Sequence, residues 1–279
     1  MMAKLLEGKM LADKIKESLK REIEALNDNL ILASIQVGEN PSSEIYLRQQ
    51  RKTAEDLGIK YCLFKLDERV QEGKLIQLVE DLNEDRTIKG IIIQMPLPSQ
   101  INRQRVIEKI NVLKDIEGIH PENLGYIFLG KPRFIPCTAE SVFELVKYTG
   151  INLYGREVVI VGHSEIVGKP LSLLFLNEFS TVTVCHIGTS DAGHLEEHVK
   201  RAEILVVAVG KAGVIKGEWI REGAIVIDVG INKVGDKIVG DIEFEKAKEK
   251  ASFITPVPGG VGPLTVTMLM RNLVKALKI

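Results

Sequence analysis

A chain of 279 residues, 45% hydrophobic and 27% charged, has material for one large domain or two modest ones with a real core. Its 37 basic and 38 acidic residues leave a formal charge of −1, so it carries no electrostatic footprint for nucleic acid or an anionic membrane surface. Cys62, Cys137 and Cys185 are odd in number and widely scattered, and the N-terminal stretch lacks a signal peptide's apolar core; a reduced, cytoplasmic protein is expected.

In chain order, acids and lysines at helical spacing predict a helix over Gly8–Leu26, followed by a strand over Leu30–Val37. Ser42–Leu57 is helix-like and contains YLRQQRK, one tyrosine followed by six residues without an acid. On a helix Tyr46 and Gln50 are i and i+4 and share a face. Lys52 lies about 200° around from Gln50 and Arg48 is similarly turned, so both cations are expected to face water. Strand Ile59–Leu66, helix Gly73–Asn83 and strand Lys89–Met95 come next. From Asn111 to Thr138 the chain is punctuated by Gly118, Pro121, Gly125, Gly130, Pro132 and Pro136, which marks a domain boundary.

Beyond it, helices Thr138–Tyr148, Lys169–Phe179 and Leu195–Arg201 alternate with strands Glu157–Val161, Thr181–His186, Glu203–Val209 and Ala224–Val229. A last helix, Leu264–Ile279, follows the loop TPVPGGVGP. Such alternation predicts an α/β fold with mostly parallel sheets, because parallel strands need helical crossovers. The expected division is a first domain over 1–137 and a second, Rossmann-like, doubly wound domain over 138–263.

EVVIVGHSEIVGKPLSLLFL reads as strand, tight turn and helix, with Gly162 and Gly168 bracketing the turn and Pro170 in the first helical turn. It is not GxGxxG, yet the physics is the same: small residues let the backbone approach a pyrophosphate, and a helix N-terminus offers free N–H groups to it. Ser164 adds a hydroxyl donor and His163 a weak cation. The tip of the second strand, His186-Ile187-Gly188, has neither the acid expected for NAD nor the arginine expected for NADP. His194 to His198 matches an HxxEH spacing, but with no evident third ligand it reads as a solvated helix rather than a zinc site.

Taken together and in order, GIIIQMPLP, KDIEGIHPENLG, FIPCTAES, VVIVGHSEIVGKP, GAIVIDVGIN and ITPVPGGVGPLTVTML resemble the methylenetetrahydrofolate dehydrogenase/cyclohydrolase family. The resemblance implies two α/β domains flanking a cleft, folate on the first, NADP on the second, a homodimer, and a final helix returning to the first domain. It implies oxidation of 5,10-methylenetetrahydrofolate by hydride transfer to the nicotinamide, then hydrolysis of the methenyl product to 10-formyltetrahydrofolate. The family's folate-site residues fall on Tyr46, Ile93, Met95, Pro258, Gly259, Gly260, Val261 and Gly262, and its catalytic positions on Gln50, Gln94 and Glu117. Its nucleotide positions fall on Gly162, His163, Ser164, Ile187 and Ile231.

Three departures stand out. Typical members have a catalytic lysine where this chain has Gln50, and an amide neither gives nor takes a proton at working pH. Their pterin-binding aspartate is Glu117 here, one methylene longer. Arginine in the first nucleotide turn and serine after Cys-His are here His163 and Ile187, so NADP is expected with NAD as the alternative. Three functions fit the sequence: a folate dehydrogenase whose second activity Gln50 impairs, another two-domain NAD(P) oxidoreductase, or a binding module without chemistry.

Overall fold

The computed structural model describes residues 3–26 and 29–279. Its first half comprises β1 (Lys4–Leu5), α1 (Gly8–Leu26), β2 (Ile31–Val37), α2 (Pro41–Asp56), β3 (Lys60–Leu66), α3 (Glu72–Glu84), β4 (Ile88–Ile93), α4 (Arg103–Ile107), α5 (Pro121–Phe128) and α6 (Cys137–Tyr148). The second comprises β5 (Glu157–Val161), α7 (Gly168–Asn177), β6 (Thr181–Cys185), α8 (Ile187–Asp191), α9 (Leu195–Arg201), β7 (Ile204–Val207), β8 (Ile225–Asp228), β9 (Asn232–Val234), β10 (Lys237–Val239), α10 (Phe244–Lys250), β11 (Phe253–Ile254) and α11 (Val261–Ala276). None of the described helices is long and apolar enough to cross a membrane.

Packing divides the chain into two units: one holds the chain through Asp13, 127–131 and 136–265, the other 14–126, 132–135 and 266–279. The first residues thus leave the span 1–137 suggested by the sequence, because β1 pairs in parallel with β11 at the far end of the chain.

In the second of these units β3, β2 and β4 form a parallel sheet in that order. Side chains alternate across a sheet, so Ala33, Ile35 and Val37 of β2 share one face with Ile91 and Ile93 of β4. That face packs on Leu75, Val79 and Leu82 of α3 to make an apolar core. The opposite face carries Leu32, Ser34 and Gln36. A side chain at Gly90 would press on Ile116 Cγ2 and Leu273 Cδ1, each 2.8 Å from the added carbon, which is why glycine opens GIIIQ. Asn272 of α11 donates to the carbonyls of Ile116 at 2.9 Å and Ile135 at 3.1 Å, anchoring the residues of the last helix in this unit.

The other unit is built on a six-stranded sheet in the order β1-β11-β8-β7-β5-β6, parallel throughout. β5 lies between β6 and β7, so successive connections leave it in opposite directions. A doubly wound sheet opens its ligand crevice at that switch point, beyond the carboxyl ends of the strands. Val159, Val161, Leu205, Val207 and Val226 fill one face of this sheet with Leu195 and Val199 of α9.

Several boundaries differ from expectation. The helix expected through Phe179 ends at Asn177, where Phe179 takes the left-handed conformation (φ 61°) usually left to glycine. Its N–H donates to Leu176 O and that of Ser180 to Phe175 O, a Schellman closure that satisfies the terminal carbonyls. Val261 and Gly262, expected in a loop, are the first residues of α11. The stretch after β6 forms the short helix α8, capped by His186.

Candidate active site

Gln50 carries the site in the unit built on the three-stranded sheet. It is buried on α2, whereas Arg48 and Lys52 of the same helix are exposed. The Gln50 carbonyl Oε1 accepts two hydrogen bonds, from Gln94 Nε2 at 2.8 Å and from the Tyr61 hydroxyl at 3.1 Å. Gln94 Nε2 also donates to Ser34 Oγ at 3.0 Å. Sheet register brings these groups together. Gln94 extends β4 by donating its backbone N–H to Ile35 O, and Tyr61 pairs with Leu32, so both side chains emerge on the Ser34 face. Burial pushes the Tyr61 phenol up to about 12, so it remains an O–H donor.

Glu117 joins the same neighbourhood from the segment after the Asp115 bridge to β4. Part of its surface stays open, yet protein packs closely round its carboxyl. That burial, reinforced by the Asp115 carboxylate, pushes it up to about 8 despite a hydrogen bond from the Ile93 backbone and the Arg103 charge. Near neutral pH the group is mostly a neutral acid that can both donate and accept. Tyr46 is partly exposed one turn before Gln50, and burial of its phenol edge pushes it up. Ile93 is buried and Met95 half-buried beside Gln94. Thus Gln50, Gln94 and Glu117 converge, with Tyr46 on the same helical face; the Ile93 side chain, expected at the folate site, instead packs on the α3 side of the sheet, and only its backbone meets Glu117. Sequence reasoning did not point to Tyr61 and Ser34; their only trace is that each is a polar residue inside a strand, on β3 and β2.

The nucleotide positions lie at the carboxyl ends of β5, β6 and β8, in the other unit. A side chain at Gly162 would run into the Ala208 backbone, and one at Gly168 into Gly162 and His163, with the Gly162 carbonyl carbon only 2.7 Å from the added atom. The turn before α7 is therefore drawn into a cradle that only glycine permits, opening onto a helix N-terminus: a fit for a pyrophosphate. Ser164 Oγ accepts the Val167 N–H at 3.2 Å, leaving its own hydrogen to donate. His163 and His186 stand with ring centroids 5.2 Å apart. His186 Nδ1 accepts the Gly188 N–H at 3.1 Å, which leaves Nε2 to carry the outward proton. Ile187 and Ile231 are 71% and 55% exposed, apolar surfaces free to sandwich rings.

Behind this crevice sit two buried carboxylates that sequence reasoning did not single out. Asp241 accepts the backbone N–H groups of Val209, Gly210 and Lys211 at 2.8, 2.9 and 2.8 Å, and Asn232 Nδ2 at 2.8 Å. It thereby fixes the loop after β7. Asp228 accepts N–H groups from Gly230, Asp241 and Ile242, each at 3.0 Å; burial nevertheless pushes it up to about 6. Side chains at Gly230 and Gly240 would strike these carboxylates, so the glycines beside each aspartate were the legible trace.

Pro258 is exposed, Gly259 holds φ +108°, and Gly260 has no room beside Thr255 and Pro256. Gly8 N donates to Gly259 O at 3.0 Å, so this glycine pair also seats the start of α1. Val261 is buried, while around Gly262 the space is open.

Residues 6–117 match the family model described as tetrahydrofolate dehydrogenase/cyclohydrolase, catalytic domain, and residues 136–279 match its NAD(P)-binding domain. A curated relative from Bacillus pumilus, named bifunctional protein FolD, is 48% identical over 100% of this chain and 99% of its own length. One of the same name from Acetivibrio thermocellus is 49% identical over 100% and 98%. Among solved structures, the Campylobacter jejuni bifunctional enzyme FolD superposes with a TM-score of 0.95 at 42% identity, covering 99% of both chains. The Trypanosoma brucei enzyme, solved with NADP cofactor and inhibitor, gives 0.95 at 35% identity over 100% of this chain and 98% of its own.

Proposed function

We propose the following activity for this chain, which belongs to the tetrahydrofolate dehydrogenase/cyclohydrolase family: it oxidises 5,10-methylenetetrahydrofolate to the methenyl form with NADP and hydrolyses that product poorly. The observation that carries this reading is Gln50, a buried neutral amide at the position of the family's catalytic lysine, with Arg48 and Lys52 of its own helix turned to water.

Bound NADP contributes a nicotinamide ring that accepts the hydride from the one-carbon bridge. That step moves no proton, so the chain's contribution is placement and a polar surround for the cationic bridge. Tyr46 offers a ring face to the aminobenzoate, and the Glu117 carboxyl meets the donors and acceptors of the pterin edge. Gln94 and Gln50 face the one-carbon unit with fixed amide dipoles. On the nucleotide side, the Gly162–Gly168 turn holds the pyrophosphate, while Ile187 and Ile231 pack against rings. His163 and His186 supply the N–H groups for a 2′-phosphate, which supports NADP over NAD in the absence of an acid at that tip.

Hydrolysis is different. Adding water to the methenyl carbon and opening the ring requires proton movement; neither Gln50 nor a phenol held near 12 takes a proton at neutral pH, and Glu117, mostly protonated there and engaged with the pterin edge, is a poor base for the attacking water. The reading includes a homodimer in a reducing cytoplasm, the latter in keeping with three cysteines too scattered in the sequence for a disulfide framework. Two rates measured on the purified protein test it: nicotinamide reduction should be enzyme-dependent and methenyl hydrolysis close to the spontaneous rate. Hydrolysis at a rate comparable with dehydrogenation would overturn it.

A further inference from the structure

The polar side chains around Gln50 close into a ring. Gln94 Nε2 has two hydrogens and both are used, on Gln50 Oε1 and on Ser34 Oγ. The Ser34 hydroxyl reaches the Tyr61 phenol, and the phenol donates to Gln50 Oε1 at 3.1 Å. Two donors thus converge on one carbonyl oxygen and fill its lone pairs, which fixes the end of the Gln50 amide that turns inward. What remains are Gln50 Nε2, with two hydrogens, and Gln94 Oε1, with two lone pairs. Among the described residues neither atom has a protein partner, and neither is sealed from solvent. The ring therefore presents one donor and one acceptor side by side.

We propose that Tyr61 is a positioning residue for the reaction: by holding Gln50 Oε1 inward, it sets Gln50 Nε2 as a fixed donor and Gln94 Oε1 as a fixed acceptor toward the folate. This inference rests on the folate reading of the same site. An acceptor suits the carbon bridge as it becomes cationic, and a donor suits a neighbouring ring nitrogen that keeps its lone pair. The Tyr61 ring is itself braced by the Arg51 guanidinium, 5.8 Å from its centroid. Without the hydroxyl, Gln50 Oε1 keeps a single donor and the amide is free to turn over, exchanging donor for acceptor at the substrate.

Four proteins test it: the natural chain, Tyr61→Phe, Gln50→Met and the double variant. Each is measured for tetrahydrofolate binding by calorimetry, for dehydrogenase kcat and KM, and for thermal midpoint. Tyr61→Phe is expected to lower kcat/KM for the folate about 5- to 20-fold, the scale of one lost hydrogen bond, with the dinucleotide KM and thermal midpoint unchanged. In the Gln50→Met background the same change should cost less than about twofold, because there is no amide left to orient. Equal losses in both backgrounds, or no loss in the first, would overturn the proposal. Should Tyr61→Phe lower the thermal midpoint, the same comparison is made below it, at a temperature where circular dichroism shows all four proteins folded, and the same two expectations decide. If the natural chain shows no dehydrogenation at all, the functional reading fails, while folate binding by the four proteins still decides the role of Tyr61.

Discussion

Replacing Glu117 by glutamine isolates a stability term that the structure makes large. In the folded chain the carboxyl holds its proton up to about 8, against an ordinary value of 4.5, chiefly because burial disfavours the charge. Between those two values the folded state carries more protons than the unfolded state, so this group makes stability fall as pH rises and level off above about 8. The full gap converts to roughly 4–5 kcal/mol, and the part of Glu117 that stays open to water reduces the expected effect to about 2–3 kcal/mol. Glutamine has the same shape and no proton to lose. Urea unfolding of both proteins at several values between about pH 5 and pH 9 should show the natural chain losing roughly 2–3 kcal/mol relative to Glu117→Gln across that window. Parallel profiles, or a natural chain gaining relative stability with pH, would refute the idea that the carboxyl is neutral in the folded site.

Gln50→Lys should raise methenyl hydrolysis by about 100-fold or more, the usual reach of a placed proton-transfer group, as followed by loss of methenyl absorbance. Asp241→Ala removes the acceptor of three backbone N–H groups in the loop after β7; a loss of about 3 kcal/mol in unfolding free energy and weaker dinucleotide binding by calorimetry are expected, with folate binding retained. Gly168→Ala forces a methyl group against the Gly162 backbone, and should weaken dinucleotide binding at least about tenfold by opening the turn before α7.

Much of this architecture was legible from periodicity alone. Gly8–Leu26, Glu157–Val161 and Leu195–Arg201 have the bounds read from the sequence, because each is a local pattern ended by its own residues. What escaped depends on distant partners. Lys4–Leu5 is a strand only because Phe253–Ile254 lies beside it, and two residues carry no periodicity of their own. Val261 and Gly262 look like loop residues after two prolines and two glycines, yet Pro263 is tolerated in a first helical turn and lets α11 begin earlier. At the site, the placing of Gln50 on the face away from Lys52 followed from helical angles, whereas the Ser34–Tyr61–Gln94 ring needed the register of three strands. The buried Asp228 and Asp241 left only the neighbouring glycines as a trace, because their partners are mostly backbone groups brought in by distant segments.

The central claim is that Gln50 separates two reactions that the family couples. Its most direct test follows a single preparation with 5,10-methylenetetrahydrofolate, NADP and NAD in parallel, then with the methenyl compound alone. The account predicts NADP-dependent formation of methenyl product that accumulates, its hydrolysis no more than about tenfold above the spontaneous rate. Methenyl compound consumed by the enzyme as fast as it forms would contradict it.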